Sequence, residues 1–183
     1  LAAGGYVYLH EGFAFIGYSN FGMIYDVTDP HTIVRHGRID FPGDLDTMTP
    51  LGNVVMVSVD DDATLGAATG IFPWQTAPDA RGPRVTWVSP SDGEARASLL
   101  SRVGLTFDEF VAMESLWEGS VIVREVGTTR ALPGYFSGQD GQVTFFPASP
   151  LDPGTTYEIV VPAGGVNDIS GNALTEAFRA TFT

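Results

Sequence analysis

The sequence predicts an all-β protein made of short strands and tight turns. β-Branched and aromatic residues are frequent, and 22 glycines and 12 prolines separate the apolar stretches. Valine, isoleucine, phenylalanine and tyrosine favour strands, whereas glycine and proline favour the turns between them. The hydrophobic fraction of 44% is large enough to form cores, so we expect a folded chain.

The length of 183 residues suits two modest domains. The best boundary is the segment from Thr76 to Pro83, which is poor in apolar residues and rich in residues that interrupt strands. The sequence therefore predicts a first region over residues 1–75, a linker over 76–82 and a second domain over 83–183.

The first region contains a weak internal repeat. Residues 12–19 align with residues 52–59 at a spacing of 40, and residues 22–25 align with residues 70–73 at a spacing of 48. Periods near 40 residues with several strands per repeat are typical of β-propeller blades.

The stretch from Phe13 to Pro30 resembles the LVIVD-type propeller repeat of bacterial surface and exported proteins. It has an aromatic-rich strand, a turn with glycine, and an apolar strand that ends in Asp26-Val27 and is followed by Asp29-Pro30. The resemblance implies β-propeller-like blade hairpins. Two blades cannot close a propeller. We therefore expect the region to be the tail of a larger propeller, or to complete its sheets against the second domain or another chain.

The second domain begins with regularly spaced strand-like segments. They cover residues 85–88, 102–107, 119–126, 131–136, 142–146, 156–161 and 177–182. Residues 108–117 interrupt them with apolar side chains at helical spacing, which predicts one or two turns of helix between the sheets.

A tyrosine corner is the most specific local signal in the chain. In Leu151-Asp-Pro-Gly-Thr-Thr-Tyr157, a turn built on Pro153 and Gly154 leads into a strand, and Tyr157 is placed to bind backbone upstream. This arrangement is a mark of Ig-like sandwiches. Together with seven short strands, it predicts an Ig-like β-sandwich over residues 83–183.

The same residues resemble the SbsA-type bacterial Ig-like domain of secreted and surface-layer proteins. Six motifs carry the resemblance, at residues 88–93, 105–111, 143–147, 151–157, 166–172 and 178–183. One departure is Phe110, where the family often has proline. The resemblance implies an exported bacterial protein located outside the cell or at its surface.

The charge of the chain restricts its partners. The net charge is −13, and all nine basic residues are arginines. Such a charge repels phosphate backbones, so we expect no nucleic-acid partner. No apolar run approaches the roughly 20 residues of a membrane helix, so we expect no membrane insertion. The lack of cysteine and lysine excludes disulfides, thiolate catalysis and Schiff bases.

Calcium is the one cofactor for which weak candidates exist, namely Asp60, Asp61, Asp62 and Asp168. Three consecutive aspartates on an extended segment point to alternating sides, so at most two of them converge on an ion. A solvated loop is the alternative. For Asp168, the structural alternative is a turn in which Gly171 takes a positive φ before the last strand.

Other polar and aromatic residues have plain structural interpretations. His10, His31 and His36 match no zinc spacing and are predicted to lie on the surface. Asp108 and Glu109 are predicted to be turn residues rather than a glycosidase pair. Most aromatic side chains are predicted to fill cores, and the alternative is that an exposed set stacks on sugars.

The sequence predicts a non-catalytic structural or adhesion module of a larger bacterial surface or secreted protein, which spaces or presents neighbouring domains. Its partners would be proteins or glycans at the cell surface. One alternative is a carbohydrate- or protein-binding module that uses the propeller face and the interdomain cleft. The other is an accessory fragment of a larger extracellular enzyme.

Overall fold

A computed structural model describes residues 4–59 and 68–183. The chain divides into two compact units, residues 1–79 and 80–183, and the predicted linker spans the point of division. In the described residues both units consist of antiparallel strands, and a single 3-10 turn is the one helical element. No helix of the described residues combines the length and the hydropathy needed to cross a membrane.

The first unit contains two sheets, and in each sheet the strands follow chain order. The four-stranded sheet consists of β1 (Gly4–His10), β2 (Phe13–Tyr18), β3 (Phe21–Asp26) and β4 (Val34–Asp40). The three-stranded sheet consists of β5 (Leu45–Leu51), β6 (Val54–Val59) and β7 (Ala68–Pro73). Both are therefore simple meanders.

The two copies of the sequence repeat occupy equivalent positions in these meanders. Gly12 and Gly52 lie in the turns that precede β2 and β6, and both have positive φ, at 83° and 60°. Gly22 lies in β3 and Gly70 in β7, the third strand of each sheet. Glycine adopts positive φ without steric cost, which explains why the two hairpin turns share it.

The two sheets approach closely at glycines. A Cβ at Gly5 or Gly17 would collide with the backbone of Asp46, and a Cβ at Gly22 would collide with the side chain of Met48. Strand β5 therefore crosses the first sheet where three neighbouring strands carry no side chain. The core between the sheets consists of Phe15, Ile24, Leu45, Met48, Val55, Val57 and Val59.

The second unit is a sandwich of two antiparallel sheets. One sheet has the order β11 (Gly134–Gln139), β12 (Gln142–Pro147), β9 (Val103–Phe107) and β8 (Val85–Ser89). The other has the order β10 (Ile122–Glu125), β13 (Tyr157–Val161) and β14 (Phe178–Phe182). All seven predicted segments overlap a strand, although β10 and β11 each begin three residues later than expected.

The predicted helix over residues 108–117 is shorter than expected. Only Met113–Ser115 form a 3-10 turn, because Ala112 and Leu116 on either side are extended. Phe110 and Val111 are instead buried, and Val111 forms an isolated antiparallel bridge with Asp168. Burial of their side chains, rather than helix formation, explains the apolar pattern.

The sandwich core lies between the two sheets. In β9, Val103, Leu105 and Phe107 are buried, whereas Gly104 and Thr106 are partly exposed, so alternate residues face the core. Strands from both sheets and the connecting loops contribute the rest: Val111, Val121, Val123, Val143, Phe145, Leu151, Tyr157, Ile159, Val161, Val166, Leu174, Ala180 and Phe182.

Candidate functional site

The tyrosine corner connects the long loop after β12 to strand β13. The Tyr157 hydroxyl accepts a hydrogen bond from the backbone N–H of Asp152 at 2.9 Å. Gly154 has a φ of 69°, and the buried Leu151 donates its N–H to the carbonyl of Leu99 at 2.8 Å. The Tyr157 ring stacks on Phe182 of β14, with ring centroids 5.6 Å apart. The corner thus attaches the loop to both the sheet and the core.

A cleft of about 190 Å³ opens beside the corner. Its lining comes mainly from residues 95–99 and 151–155. Pockets that bury small-molecule ligands have volumes of about 300–1,000 Å³. The cleft is smaller than this, so it does not have the size of a pocket that buries a small-molecule substrate.

Residues preceding β9 run parallel to the last strand of the sandwich. Glu94 and Phe182 form a parallel bridge. Thr181 donates its N–H to the Asp92 carboxylate, Gly93 donates to the Thr181 carbonyl, and Thr183 donates to the Glu94 carbonyl, each at 2.8 Å. This set of bonds, which we call the terminal ladder, joins the beginning of the domain to its end.

Asp168 lies at the start of a turn before β14 and is 1% exposed. One carboxylate oxygen accepts the Asn172 backbone N–H at 2.7 Å, and the other accepts the Asn172 side-chain amide at 2.9 Å. Gly171 has a φ of 90°. Both oxygens of Asp168 are therefore engaged within its own turn, which favours the structural role. Asp60, Asp61 and Asp62 lie outside the described residues.

The end of the motif predicted over Phe13–Pro30 leads from β3 into the connection to β4. The Asp26 carboxylate accepts hydrogen bonds from the Thr28 hydroxyl at 2.6 Å and from the Thr28 N–H at 3.0 Å. The hydroxyl bond, followed by the backbone bond, holds the pKa of Asp26 below its ordinary value. Asp29 accepts the N–H of His31 at 2.9 Å. These aspartates stabilise a turn, in which Asp29 is exposed and Asp26 is partly exposed.

The prediction that all three histidines lie on the surface is wrong for His10. It is 1% exposed, and its ring packs edge-on against Phe15 and Trp74 at centroid distances of 6.4 and 6.1 Å. Strand β1 has an irregular register, and it exposes Leu9 while it buries His10. His31 and His36 are exposed, as expected.

The two adjacent carboxylates after β9 have different environments. Asp108 accepts the backbone N–H of Arg84 at 2.7 Å and donates its own N–H to the Arg84 carbonyl at 3.0 Å. Both residues lie in the bend that follows β9, as predicted for turn residues. Glu109 is only 2% exposed, and its neighbours Phe110 and Val111 are also buried.

The interpretation of the aromatic residues as core holds only in part. Trp74 is half-buried and donates its ring N–H to the Gly52 carbonyl at 2.7 Å. Trp87, Trp117 and Tyr135 are 57%, 62% and 61% exposed. Apolar residues alternate along β9 and β12, and this alternation indicates which side of the sheet faces outward. It was the sequence signal available for Tyr135, which pairs with β12.

Two sheets of four and three antiparallel strands, in the orders given above and joined by a tyrosine corner, define an Ig-like β-sandwich. Residues 79–183 match the family model described as bacterial Ig-like domain. The chain belongs to the bacterial Ig-like domain family, which confirms the coarser prediction for the second domain. A comparison with the curated proteins gave no match.

Proposed function

We propose that this chain is a non-catalytic structural module of a secreted or cell-surface bacterial protein, which spaces or presents the domains beside it. Bacterial Ig-like domains are typically extracellular and generally without catalytic activity. We further propose that the domain is of the SbsA type, on the motifs that resemble that group. The acidic surface and its arginine-only basic residues suit an exposed, soluble part of such a protein.

The position of the two ends of the sandwich carries this proposal. Gly82 approaches the carbonyl of Ala173 so closely that it has no room for a Cβ. Leu174 accepts the N–H of Gly164, just beyond the point where the end of β13 pairs with the start of β14. Thr183 follows the other end of β14. The chain therefore enters and leaves the sandwich at opposite ends of this strand.

A domain whose chain enters at one end and leaves at the other adds its own length to a row of linked domains. The terminal ladder lies at the Thr183 end, and its two segments run along the direction in which tension would act. Because its strands are parallel, tension loads the hydrogen bonds of Asp92, Gly93 and Glu94 together rather than one after another. The ladder would therefore resist extension, as a spacer between surface domains requires.

Single-molecule force spectroscopy tests this proposal. The chain has no cysteine, so a cysteine at position 80 and another added after Thr183 provide unique attachment points. We expect one distinct unfolding event that releases about 350 Å of chain, at about 3.3–3.6 Å per residue. Asp92→Ala should lower the unfolding force, because it removes the carboxylate that Thr181 binds.

Asp152→Ala is the matched control. It also removes an exposed aspartate, but from a turn outside the ladder, and its backbone N–H can still bind Tyr157. This variant should unfold at the force of the unaltered chain. Two results would refute the proposal that the terminal ladder resists extension. They are extension without a distinct unfolding event, and equal unfolding forces for the Asp92 variant and the unaltered chain.

For the first unit we propose blades of the LVIVD propeller type, completed by further blades from the parent protein or from another chain. The support is a four-stranded meander followed by a three-stranded meander, with the repeated glycines at equivalent positions. The test is the complete encoded protein. Additional copies of the motif around Phe13–Pro30 would support the proposal, and a complete protein with no further copy in it or in a bound chain would contradict it.

A further inference from the structure

The outward side of the sheet β11-β12-β9-β8 has an unusual composition. Its outward positions carry aromatic rings, hydroxyls, amides and one arginine. Across these four strands, which are described in full, no outward position carries a carboxylate or a large aliphatic side chain. We call this surface the aromatic sheet face.

One row of the aromatic sheet face is a stack of flat groups. Tyr135 of β11 and Phe146 of β12 are cross-strand partners, with centroids 4.7 Å apart and planes 4° from parallel. The Arg102 guanidinium lies 4.5 Å from the centroid of the Phe146 ring. Such stacks hold side chains in fixed positions, so the row forms a preorganised wall across three strands.

Trp87 provides a second aromatic surface on the same face. It pairs with Thr106, and its ring reaches over Gly104 of β9, where an added Cβ would lie 3.4 Å from a ring carbon. The glycine leaves space for an indole beside the strand. Trp87 is nevertheless 57% exposed, so a large part of its ring remains available.

Polar side chains occupy the positions between these aromatic groups. Ser137 and Thr144 are cross-strand partners, as are Gln139 and Gln142. Hydroxyls and amides both donate and accept hydrogen bonds. The face therefore combines flat apolar surfaces with rows of neutral hydrogen-bonding groups.

We propose that the aromatic sheet face binds a neutral polysaccharide, with Trp87 and Tyr135 stacking on sugar rings and the serine, threonine and glutamine side chains binding sugar hydroxyls. A sugar ring has the same two kinds of surface, C–H faces and hydroxyl edges. Trp87 reaches over β9, two strands from Tyr135, which is a distance of about 10 Å. This span accommodates more than one sugar unit.

Charge and composition favour this ligand over others. The net charge of −13 repels polyanions, and the strands of the face carry no outward carboxylate that would offset the Arg102 guanidinium over Phe146. A cationic partner would require carboxylates, which the face lacks. Aromatic and arginine side chains also occur at protein interfaces, so a protein partner is the alternative that the experiment below tests. The inference is independent of the spacer role, which needs no ligand.

Affinity electrophoresis of the full chain tests the proposal. The native gels contain one of four neutral polysaccharides: mixed-linkage β-glucan, glucomannan, galactomannan or hydroxyethylcellulose. We expect at least one of them to retard the chain. Trp87→Ala should lower the association constant derived from that retardation about tenfold or more, as expected for removal of an aromatic anchor. Tyr135→Ala should weaken it less.

Trp117→Ala is the matched control, because Trp117 is equally exposed but lies outside this sheet. It should bind like the unaltered chain. Ser137→Arg keeps both aromatic groups and inserts a bulky charge at an exposed position on the edge strand, so it should abolish binding. This variant tests the proposal even if Trp87→Ala does not fold. Three results would overturn the proposal. They are no retardation by any of the four polymers, an equal loss of retardation in the Trp117 variant, and binding only to charged polymers or to proteins.

Discussion

The two units pack their sheets in different ways. In residues 80–183, the sheets are held apart by interleaved side chains such as Phe145, Ile159 and Phe182. In the first unit, β5 lies against the first sheet at Gly5 and Gly17, where backbone meets backbone. Between its sheets the sandwich therefore depends on side-chain volume, whereas the first unit also depends on the absence of side chains at particular positions.

This difference predicts opposite sensitivities to substitution. Removal of side-chain volume from between the sheets should destabilise the sandwich most, and addition of a methyl group between the sheets should destabilise the first unit most. Hydrogen exchange measured by mass spectrometry reports on the two units separately in the full chain.

The largest effect is expected for Phe182→Ala. Phe182 is 2% exposed and stacks on Tyr157, so its removal should lower the free energy of unfolding of the sandwich by about 3–5 kcal/mol. Exchange should accelerate across residues 80–183. Leu100→Ala is the control, because Leu100 is 77% exposed. A loss below about 1 kcal/mol would be incompatible with a core role.

Gly17→Ala tests the glycine contact in the first unit. The new Cβ meets the carbonyls of Leu45 and Asp46, and backbone cannot move away as a side chain can. We expect a loss of about 2–3 kcal/mol, within the range for overpacking. Gly37→Ala is the control, since its Cβ would make only ordinary contacts with Ile24. Equal stability of the two variants would contradict the close approach of the sheets.

Asp168→Ala separates the structural role from calcium binding. It removes two hydrogen bonds to a buried carboxylate, so we expect a loss of about 2 kcal/mol. Urea unfolding with EDTA and with calcium should give the same loss. If the unaltered chain gains stability with calcium and this variant does not, Asp168 is a calcium ligand.

The smallest effect is expected for Tyr157→Phe. The variant keeps the buried ring and loses only the bond from the Asp152 N–H, which is worth about 1 kcal/mol. Tyr135→Phe is the control, because that hydroxyl belongs to an exposed side chain. Thermal unfolding is sensitive enough to compare them. No difference between the two would show that the corner hydroxyl contributes little.

The features predicted from the sequence are those set by short stretches of chain. Tyr157 and Asp152 are five residues apart, and the turn between them needs Gly154 at a positive φ, so the local sequence specifies the corner. Together with seven short strand segments, this corner predicted the Ig-like sandwich, but not the order of strands in its sheets. Local features of this kind can be predicted from the sequence without knowing which strands lie next to each other.

The missed features depend on contacts between distant segments. Trp87 follows an irregularity in the pairing of β8 with β9, so simple alternation does not assign its side. His10 is buried because β1 has an irregular register and packs against Trp74, which is far away in sequence. The strand register and the packing of the sheets, rather than the type of residue, determine that Trp87 is exposed and His10 is buried.

The central claim is that the bacterial Ig-like domain is a self-contained module. The most direct measurement is equilibrium unfolding of residues 80–183 expressed alone, by urea and by heat. The account predicts one cooperative transition with a free energy of unfolding of about 5 kcal/mol or more. The amides of β9, β12, β13 and β14 should be protected from exchange as in the full chain. A fragment without a cooperative transition, or without this protection, would contradict the claim.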